Sequence, residues 1–119
     1  MRTSQIKINQ TLDSRLRKTF LQLISDLKSP KEIDLFFRDF LTQEEYEMLT
    51  KRLAIAYWLK KGRTYANIKE NLKVSSATVA TVKEIVEKEG IKLALKKIEA
   101  EEWADKWEKK IKNILVNKR

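Results

Sequence analysis

Apolar residues recur along the first third of the chain at intervals of three and four, the spacing that places side chains on one face of an α-helix. This pattern predicts a first helix from about Leu12 to Lys28, with an apolar stripe made of Leu12, Leu16, Phe20, Leu23, Ile24 and Leu27. Ser29 and Pro30 are a typical helix start, and the short second helix they predict has one apolar side made of Ile33, Phe36, Phe37 and Phe40. Residues 1–10 lack this period, and we expect a flexible arm there.

A third helix is predicted from Thr42 to Lys61. Thr42 and Glu45 have the spacing of a capping box, and Gly62 is placed to end the helix. Its apolar residues cover too wide an arc for packing on one side; they are Tyr46, Leu49, Leu53, Ile55, Ala56, Trp58 and Leu59. We therefore expect this helix to be buried on several faces, either at the centre of a domain or across a subunit interface.

The second half of the chain predicts two short helices followed by a long one. Residues 63–86 have the pattern of a helix-turn-helix, Gly90 breaks the pattern, and a C-terminal helix is predicted over residues 91–117. No repeat or linker separates these segments. The sequence therefore predicts one all-α domain over residues 1–119, in which residues 12–61 form the helical dimerisation core.

Apolar residues within residues 63–86 fall where a helix-turn-helix must bury them to hold its helices at a fixed angle. Counting Tyr65 as position 1, positions 4, 8, 10, 15 and 18 hold Ile68, Leu72, Val74, Val79 and Val82. Lys73 stands at position 9, where a glycine is usual, so it has to adopt a left-handed conformation. The segment from Tyr65 to Glu84 is therefore a candidate DNA reader.

The second helix of this segment carries small side chains where a reader needs close approach to the major groove. The residues we expect to read bases are Ser76, Ala77, Ala80 and Thr81. They should lie opposite Val79 and Val82, so that hydroxyl groups reach base edges and methyl groups reach thymine.

Candidate phosphate contacts lie in the same segment. Thr64 and Ser75 are placed to cap the two short helices, so that free backbone N–H groups at a helix N-terminus point towards phosphate. Lys69, Lys73 and Lys83 flank the motif, and we expect their ammonium groups to position the protein on DNA without reading sequence.

The charge balance favours a polyanionic partner. The chain has 26 Lys and Arg residues against 17 Asp and Glu, a net charge of +9, which suits nucleic acid or an anionic membrane surface. It has no Cys and no His, which excludes disulfides, thiolate metal sites and Cys nucleophiles and removes the commonest general base. We therefore expect no enzymatic activity, no cofactor and no metal.

The location expected from the sequence is the cytoplasm. The N-terminus lacks the apolar run of a signal peptide, and the longest apolar stretch, Leu53 to Leu59, is too short to cross a bilayer.

Other interpretations fit the same patterns. The apolar spacing of residues 63–86 also occurs in plain helical hairpins. A protein-interaction module would use Trp103 and Trp107 to bind a partner helix, although such a pair is more often a packing feature. An RNA-binding regulator would have the same charge, but Tyr65 is the one aromatic residue in the basic segments that offers a stacking surface. The basic end of the chain is either a solvated face or a further contact with the DNA backbone; it consists of Lys106, Lys109, Lys110, Lys112, Lys118 and Arg119.

Residues 41–86, LTQEEYEMLTKRLAIAYWLKKGRTYANIKENLKVSSATVATVKEIV, resemble the tryptophan-repressor superfamily and are most similar to its YerC-type branch of short TrpR-like regulators. The shared features are the Leu-Thr opening, Leu49-x-x-Arg52, the Lys-Gly helix end, the Thr-Tyr start and the Ala-Thr-Val of the reader helix. The resemblance implies an intertwined helical homodimer that binds double-stranded DNA. It also implies a transcription regulator, usually a repressor that occupies a promoter.

The resemblance does not extend to the tryptophan sensor's ligand site. In the sensor, the ligand lies between two Arg residues with a Thr at the helix opening. Arg52 and Thr42 match, but Thr81 stands at the second Arg position, and one guanidinium plane cannot sandwich an indole ring. We therefore expect no tryptophan binding, leave the effector open, and expect Arg52 to pair with a carboxylate such as Glu45 or Glu47.

Overall fold

The computed structural model describes residues 7–117, except for the side chains of Trp107 and of residues 115–117. This part of the chain contains helices and their connections and no β-strand, so the predicted all-α class is confirmed. The helices are α1 (Gln10–Asp26), α2 (Pro30–Phe40), α3 (Gln43–Lys60), α4 (Tyr65–Leu72), α5 (Ser76–Lys83) and α6 (Glu89–Asn117). Residues 1–6 of the predicted arm lie outside the described residues, and α1 begins at the arm's expected end. No helix within residues 7–117 is long and apolar enough to cross a membrane.

The chain divides into two compact units, one ending at Tyr46 and the other beginning at Glu47. The boundary falls within α3, so no flexible linker separates the units in sequence. The expectation of a single domain over residues 1–119 stays a prediction, because it concerns whether both units unfold together.

The first unit contains α1, α2 and the start of α3, and none of its described residues is buried. Its helix starts follow from the sequence, since the backbone N–H of Glu32 donates to the Ser29 hydroxyl at 3.2 Å. Aromatic rings pack near the end of α2, where the centroids of Phe36 and Phe40 lie 4.9 Å apart and those of Phe20 and Phe40 lie 6.5 Å apart. The remaining apolar side chains of α1 are mostly exposed, including Leu16 at 55%.

The start and the end of α3 form as the sequence predicts. The N–H of Thr42 donates to the Glu45 carboxylate at 2.8 Å, and the N–H of Glu45 donates to the Thr42 hydroxyl at 3.1 Å, which completes the capping box. The hydrogen bond from Thr42 stabilises the ionised carboxylate and so lowers the pKa of Glu45. At the other end, Gly62 takes φ +84°, a left-handed conformation that ends the helix.

The second unit holds the hydrophobic core. Its buried residues are Ile55, Ala56, Ile68, Val79, Val82, Val86 and Leu95. They come from α3, α4, α5, the connection after α5, and α6, so one cluster joins four helices. Helices of eight residues such as α4 and α5 are not stable alone, and burial of a Val or Ile side chain contributes about 1.5–3 kcal/mol to holding them.

Polar contacts also join α3 to α6 within this unit. The Tyr57 hydroxyl donates to the Glu102 carboxylate, and this hydrogen bond raises the pKa of Tyr57. The Lys60 ammonium lies 3.5 Å from the Glu99 carboxylate. Both carboxylates are on α6, one turn apart, so they hold the same stretch of α6 against the end of α3.

One helix boundary differs from the expectation. The break falls over residues 84–88, and Gly90 lies inside the first turn of α6, where its loss of backbone entropy is tolerated. The wide apolar arc of α3 is buried in part: Ile55 and Ala56 lie in the core, whereas Leu49 is 50% exposed and Leu53 is 43% exposed.

We expect Leu95→Ala to lower the free energy of unfolding by about 2–5 kcal/mol, because Leu95 is 1% exposed in the core. The matched control is Leu93→Ala, two residues away on α6, where the side chain is 58% exposed and the loss should stay below about 1 kcal/mol. Urea denaturation followed by circular dichroism measures both. Equal losses in the two variants would contradict the core described here.

Candidate nucleic-acid interface

The first helix of the candidate interface begins at a cap that the sequence predicts. The N–H of Asn67 donates to the Thr64 hydroxyl at 3.1 Å, which satisfies one of the free donors of the first turn of α4. The Arg63 guanidinium lies over the Trp58 ring, 3.9 Å from its centroid, and donates to the Asn67 side-chain oxygen at 3.3 Å. The end of α3 and the start of α4 are thereby joined by a cation–π contact and a hydrogen bond.

The turn between α4 and α5 depends on a left-handed lysine. Lys73 has φ +55° and ψ +52°, and its N–H donates to the carbonyl of Lys69. Among the described residues it is the one non-glycine residue with positive φ, so the expectation of a left-handed Lys73 is confirmed. This conformation costs an L-residue about 1–2 kcal/mol, and the turn persists because the flanking helices are held by the core.

The second helix begins at Ser75, whose hydroxyl accepts a hydrogen bond from the N–H of Thr78 at 3.1 Å. The hydroxyls of Ser75 and Thr78 are also hydrogen-bonded to each other at 2.9 Å. Ser75 is therefore a helix cap, as predicted, and its side chain is engaged within the turn. The exposed N-terminus of α5 still offers backbone N–H groups and the positive end of the helix dipole.

Buried apolar side chains fix the angle between α4 and α5. Of the five positions that the spacing singled out, Ile68, Val79 and Val82 are 0–2% exposed, and Leu72 and Val74 are partly buried against the same cluster. The predicted burial is thus confirmed, completely for three positions and in part for two.

The opposite side of α5 is exposed and carries small side chains. All four residues expected to read bases are exposed, and they are Ser76, Ala77, Ala80 and Thr81. The Thr81 hydroxyl donates to the carbonyl of Ala77 at 2.9 Å. Its proton is therefore used within the helix, which leaves the oxygen as an acceptor and the methyl group as an apolar contact.

The three candidate lysines are available for an external anion. Lys73 and Lys83 are exposed and Lys69 is partly buried, and none of them has an ion pair with a carboxylate among residues 7–117. Lys51 is different, since its ammonium lies 3.1 Å from the Glu47 carboxylate. The ammonium groups of these three lysines are therefore free of ion pairs within residues 7–117, and the same segment also carries the exposed carboxylates of Glu70 and Glu84.

The expected ion pair of Arg52 is absent from the described part of the chain. Glu45 is engaged in the capping box with Thr42, and Glu47 pairs with Lys51. Arg52 is exposed and has no ion pair with either carboxylate, so this prediction is wrong. The sequence already predicted the Thr42–Glu45 capping box, and Lys51 stands four residues after Glu47, a helical spacing that favours an ion pair over the five-residue separation of Arg52.

The second half of the C-terminal helix α6 lies at the surface. Trp103 is 64% exposed and Ile111 is 51% exposed, so this part of α6 is not part of the core. The sequence also suggested roles for Trp107, Lys118 and Arg119. The side chain of Trp107 and both basic residues lie outside the described part of the chain. No group of carboxylates within residues 7–117 is arranged to hold a metal ion.

Sequence reasoning missed the contact between Arg63 and Trp58. Its signal is the spacing: Gly62 reverses the chain between them, and the hydrogen bond from Arg63 N–H to the Trp58 carbonyl, at 3.1 Å, closes that turn. The guanidinium consequently returns over the indole ring. This contact, together with the hydrogen bond to Asn67, joins the end of α3 to the start of α4.

The family model of the Trp repressor protein matches residues 15–99, which include α2, α3, α4 and α5. The "Uncharacterized protein YerC" of Bacillus subtilis (strain 168) is 33% identical over 78 residues, which are 66% of this chain and 74% of that protein. No solved structure matches the chain significantly. The resemblance drawn from the sequence is thereby confirmed, and the second half of α6 lies beyond the family match.

We expect Lys73→Gly to stabilise the protein by about 0.5–1 kcal/mol. Glycine removes the strain of the left-handed conformation, and the larger backbone entropy of glycine in the unfolded chain offsets part of that gain. Thermal denaturation gives the difference. Lys73→Ala is the control, since alanine keeps the strain and should bring no such gain. If Lys73→Gly were no more stable than Lys73→Ala, the turn would not be under conformational strain.

Proposed function

The chain belongs to the Trp repressor protein family, a family of DNA-binding transcription regulators, and we propose that it is a sequence-specific repressor that binds double-stranded DNA through α4 and α5. In this proposal, the two helices form a helix-turn-helix, and α5 lies in the major groove. The observation that carries it is the exposed small face of α5, rigidly attached through its opposite face to a buried core.

The fit of α5 to the groove follows from its two faces. A major groove admits an α-helix, and small side chains let the helix approach the base edges closely. Ala77 and Ala80 provide such a face, while Val79 is completely buried on the other side. The reader can therefore enter the groove without losing contact with its own domain.

Phosphate contacts would fix the register of this helix on the duplex. Lys69, Lys73 and Lys83 have no carboxylate partner in the described part of the chain, so binding to phosphate breaks no internal ion pair. The capped N-terminus at Ser75 adds backbone N–H donors and a favourable dipole. We propose that Thr64, which caps α4, places the N-terminus of that helix against phosphate in the same way.

We further propose that the protein acts as a homodimer. The unit that ends at Tyr46 exposes a continuous apolar stripe on α1, including Leu12 at 48%, Leu16 at 55% and Phe20 at 42%. Burying such a stripe against a second copy would stabilise both chains. A two-fold dimer would present two copies of α5 to half-sites about one helical turn of DNA apart.

Repression would follow from occupancy of a promoter by this dimer in the cytoplasm. Tryptophan is not the expected corepressor, because the Thr81 hydroxyl is bonded to the Ala77 carbonyl and no second guanidinium is present at this position. A sandwich around an indole ring requires two such planes.

The central test compares Ala80→Glu with Val79→Ala, two neighbours on opposite faces of α5. Ala80→Glu should leave the melting temperature nearly unchanged, since Glu is a good helix former at an exposed site. It should weaken DNA binding by several kcal/mol, because a carboxylate would face base edges and phosphates, where a single good contact contributes about 1–3 kcal/mol. Val79→Ala should lower stability by about 1–3 kcal/mol and reduce binding only through unfolding. Gel shifts beside thermal melts measure both; intact affinity in Ala80→Glu would contradict placement of α5 in the groove.

Lys69→Ala and Lys73→Ala should each weaken binding to all duplexes to a similar degree. Each should also reduce the slope of log affinity against log salt by about 1, because one fewer phosphate is neutralised. Lys51→Ala is the control, since its ammonium is paired with Glu47 and its loss should leave the slope unchanged. A change in sequence preference without a change in slope would show that the lysine contacts bases.

Light scattering at micromolar concentration should return the mass of two chains for the natural protein. Leu16→Glu and Phe20→Glu should shift it towards the monomer, because each places a carboxylate in the proposed apolar interface. Leu35→Glu on α2, at 63% exposure, tests whether the interface extends beyond α1. A stable natural monomer would contradict the dimer.

A further inference from the structure

The exposed face of α5 offers few free hydrogen-bonding groups. The side chains of Ser75 and Thr78 are bonded to each other, and the Thr81 hydroxyl donates its proton to the Ala77 carbonyl. Within residues 7–117, the Ser76 hydroxyl is the one hydroxyl of α5 without such a bond. Apart from the Ser76 hydroxyl and the acceptor oxygen of Thr81, the residues from Ser76 to Thr81 offer methyl groups on this face.

From Ser76 to Thr81, this face contains none of the side chains that read guanine or adenine by paired hydrogen bonds. Guanine is commonly read by a guanidinium or ammonium group at O6 and N7, and adenine by an amide at N6 and N7. The exposed groove-facing residues of α5 carry a hydroxyl or a methyl group only, and they are Ser76, Ala77, Ala80 and Thr81. Lys73 precedes the helix and Lys83 is its last residue, so these two ammonium groups stand at its two ends.

Methyl groups have one apolar counterpart on the floor of the major groove, the C5-methyl group of thymine. From this inventory, we propose that α5 recognises its half-site through thymine methyl groups that contact Ala77, Ala80 and the methyl group of Thr81. This inference rests on the proposed function, because it takes α5 to be the reader helix. It adds that thymine is the base that this helix selects.

The expected size of the effect follows from apolar burial. A buried methyl group contributes about 0.8 kcal/mol, so removing one thymine methyl should weaken binding about 3- to 5-fold. Two or three such contacts in one half-site would multiply to roughly 10- to 100-fold, if the sites are independent. Discrimination would come from several weak contacts and not from one strong one.

The experiment starts from duplexes that the full-length protein selects from a random pool. Each thymine of the selected site is then replaced by uracil, which removes the methyl group and keeps every hydrogen bond of the base pair. We expect a 3- to 5-fold loss of affinity at two or three positions in each half-site. Replacing guanine by 7-deazaguanine, which removes the N7 acceptor, should change affinity less than 2-fold.

A protein variant assigns the contact to its side chain. Ala80→Gly should weaken binding to the thymine duplex but not to the duplex with uracil at the matching position, so the two changes should not multiply. Ala66→Gly on α4 is the control for the loss of helix propensity, and its effect should be the same on both duplexes.

The outcomes separate this inference from the function beneath it. Selected sites that lose affinity with uracil, and lose that sensitivity in Ala80→Gly, support thymine readout. Sequence-specific sites that are indifferent to uracil and sensitive to 7-deazaguanine overturn thymine readout and leave the DNA-binding function intact. Absence of any selected duplex overturns the proposed function itself, and the inference with it.

Discussion

The interlocked burial of Ile68, Val79 and Val82 is the constraint on which the arrangement of α4 and α5, the proposed DNA reader, depends. Neither α4 nor α5 has the length to be stable alone, and the turn between them contains a left-handed lysine that is locally unfavourable. Burial of the three side chains overcomes both costs and fixes α5 with its small face outward. A rigid reader is useful for DNA recognition, because a contact geometry that is already formed need not be ordered on binding.

The two units of the chain differ in how much of their own apolar surface they bury. The unit from Glu47 onward contains a buried cluster from four helices, whereas the described residues of the other unit include none that is buried. An exposed apolar stripe in a charged protein is typical of a surface that associates. The proposal of a homodimer therefore assigns association to the first unit and DNA reading, together with the core that supports it, to the second.

Local signals made much of the fold predictable. Caps such as Thr42, Thr64 and Ser75 depend on a side chain and a backbone N–H three residues later, and the sequence contains all the information that this geometry requires. The left-handed turn at Lys73 was predictable from the same segment, because Lys73 stands at the position of the helix-turn-helix pattern where a glycine is usual. The candidate reader was predictable to the same extent, since helical periodicity decides which side of α5 is buried.

The sequence by itself determined the helices, their caps, the buried face of α5 and the family to which the chain belongs, because these depend on neighbours within a few residues or on a pattern of types. Only the tertiary structure decided which helices meet and which side chains far apart in sequence come together. The Tyr57 hydroxyl and the Lys60 ammonium of α3 contact the Glu102 and Glu99 carboxylates of α6, and one buried cluster joins α3, α4, α5 and α6. Such contacts depend on how the chain brings distant helices together, and periodicity along the chain does not contain that information.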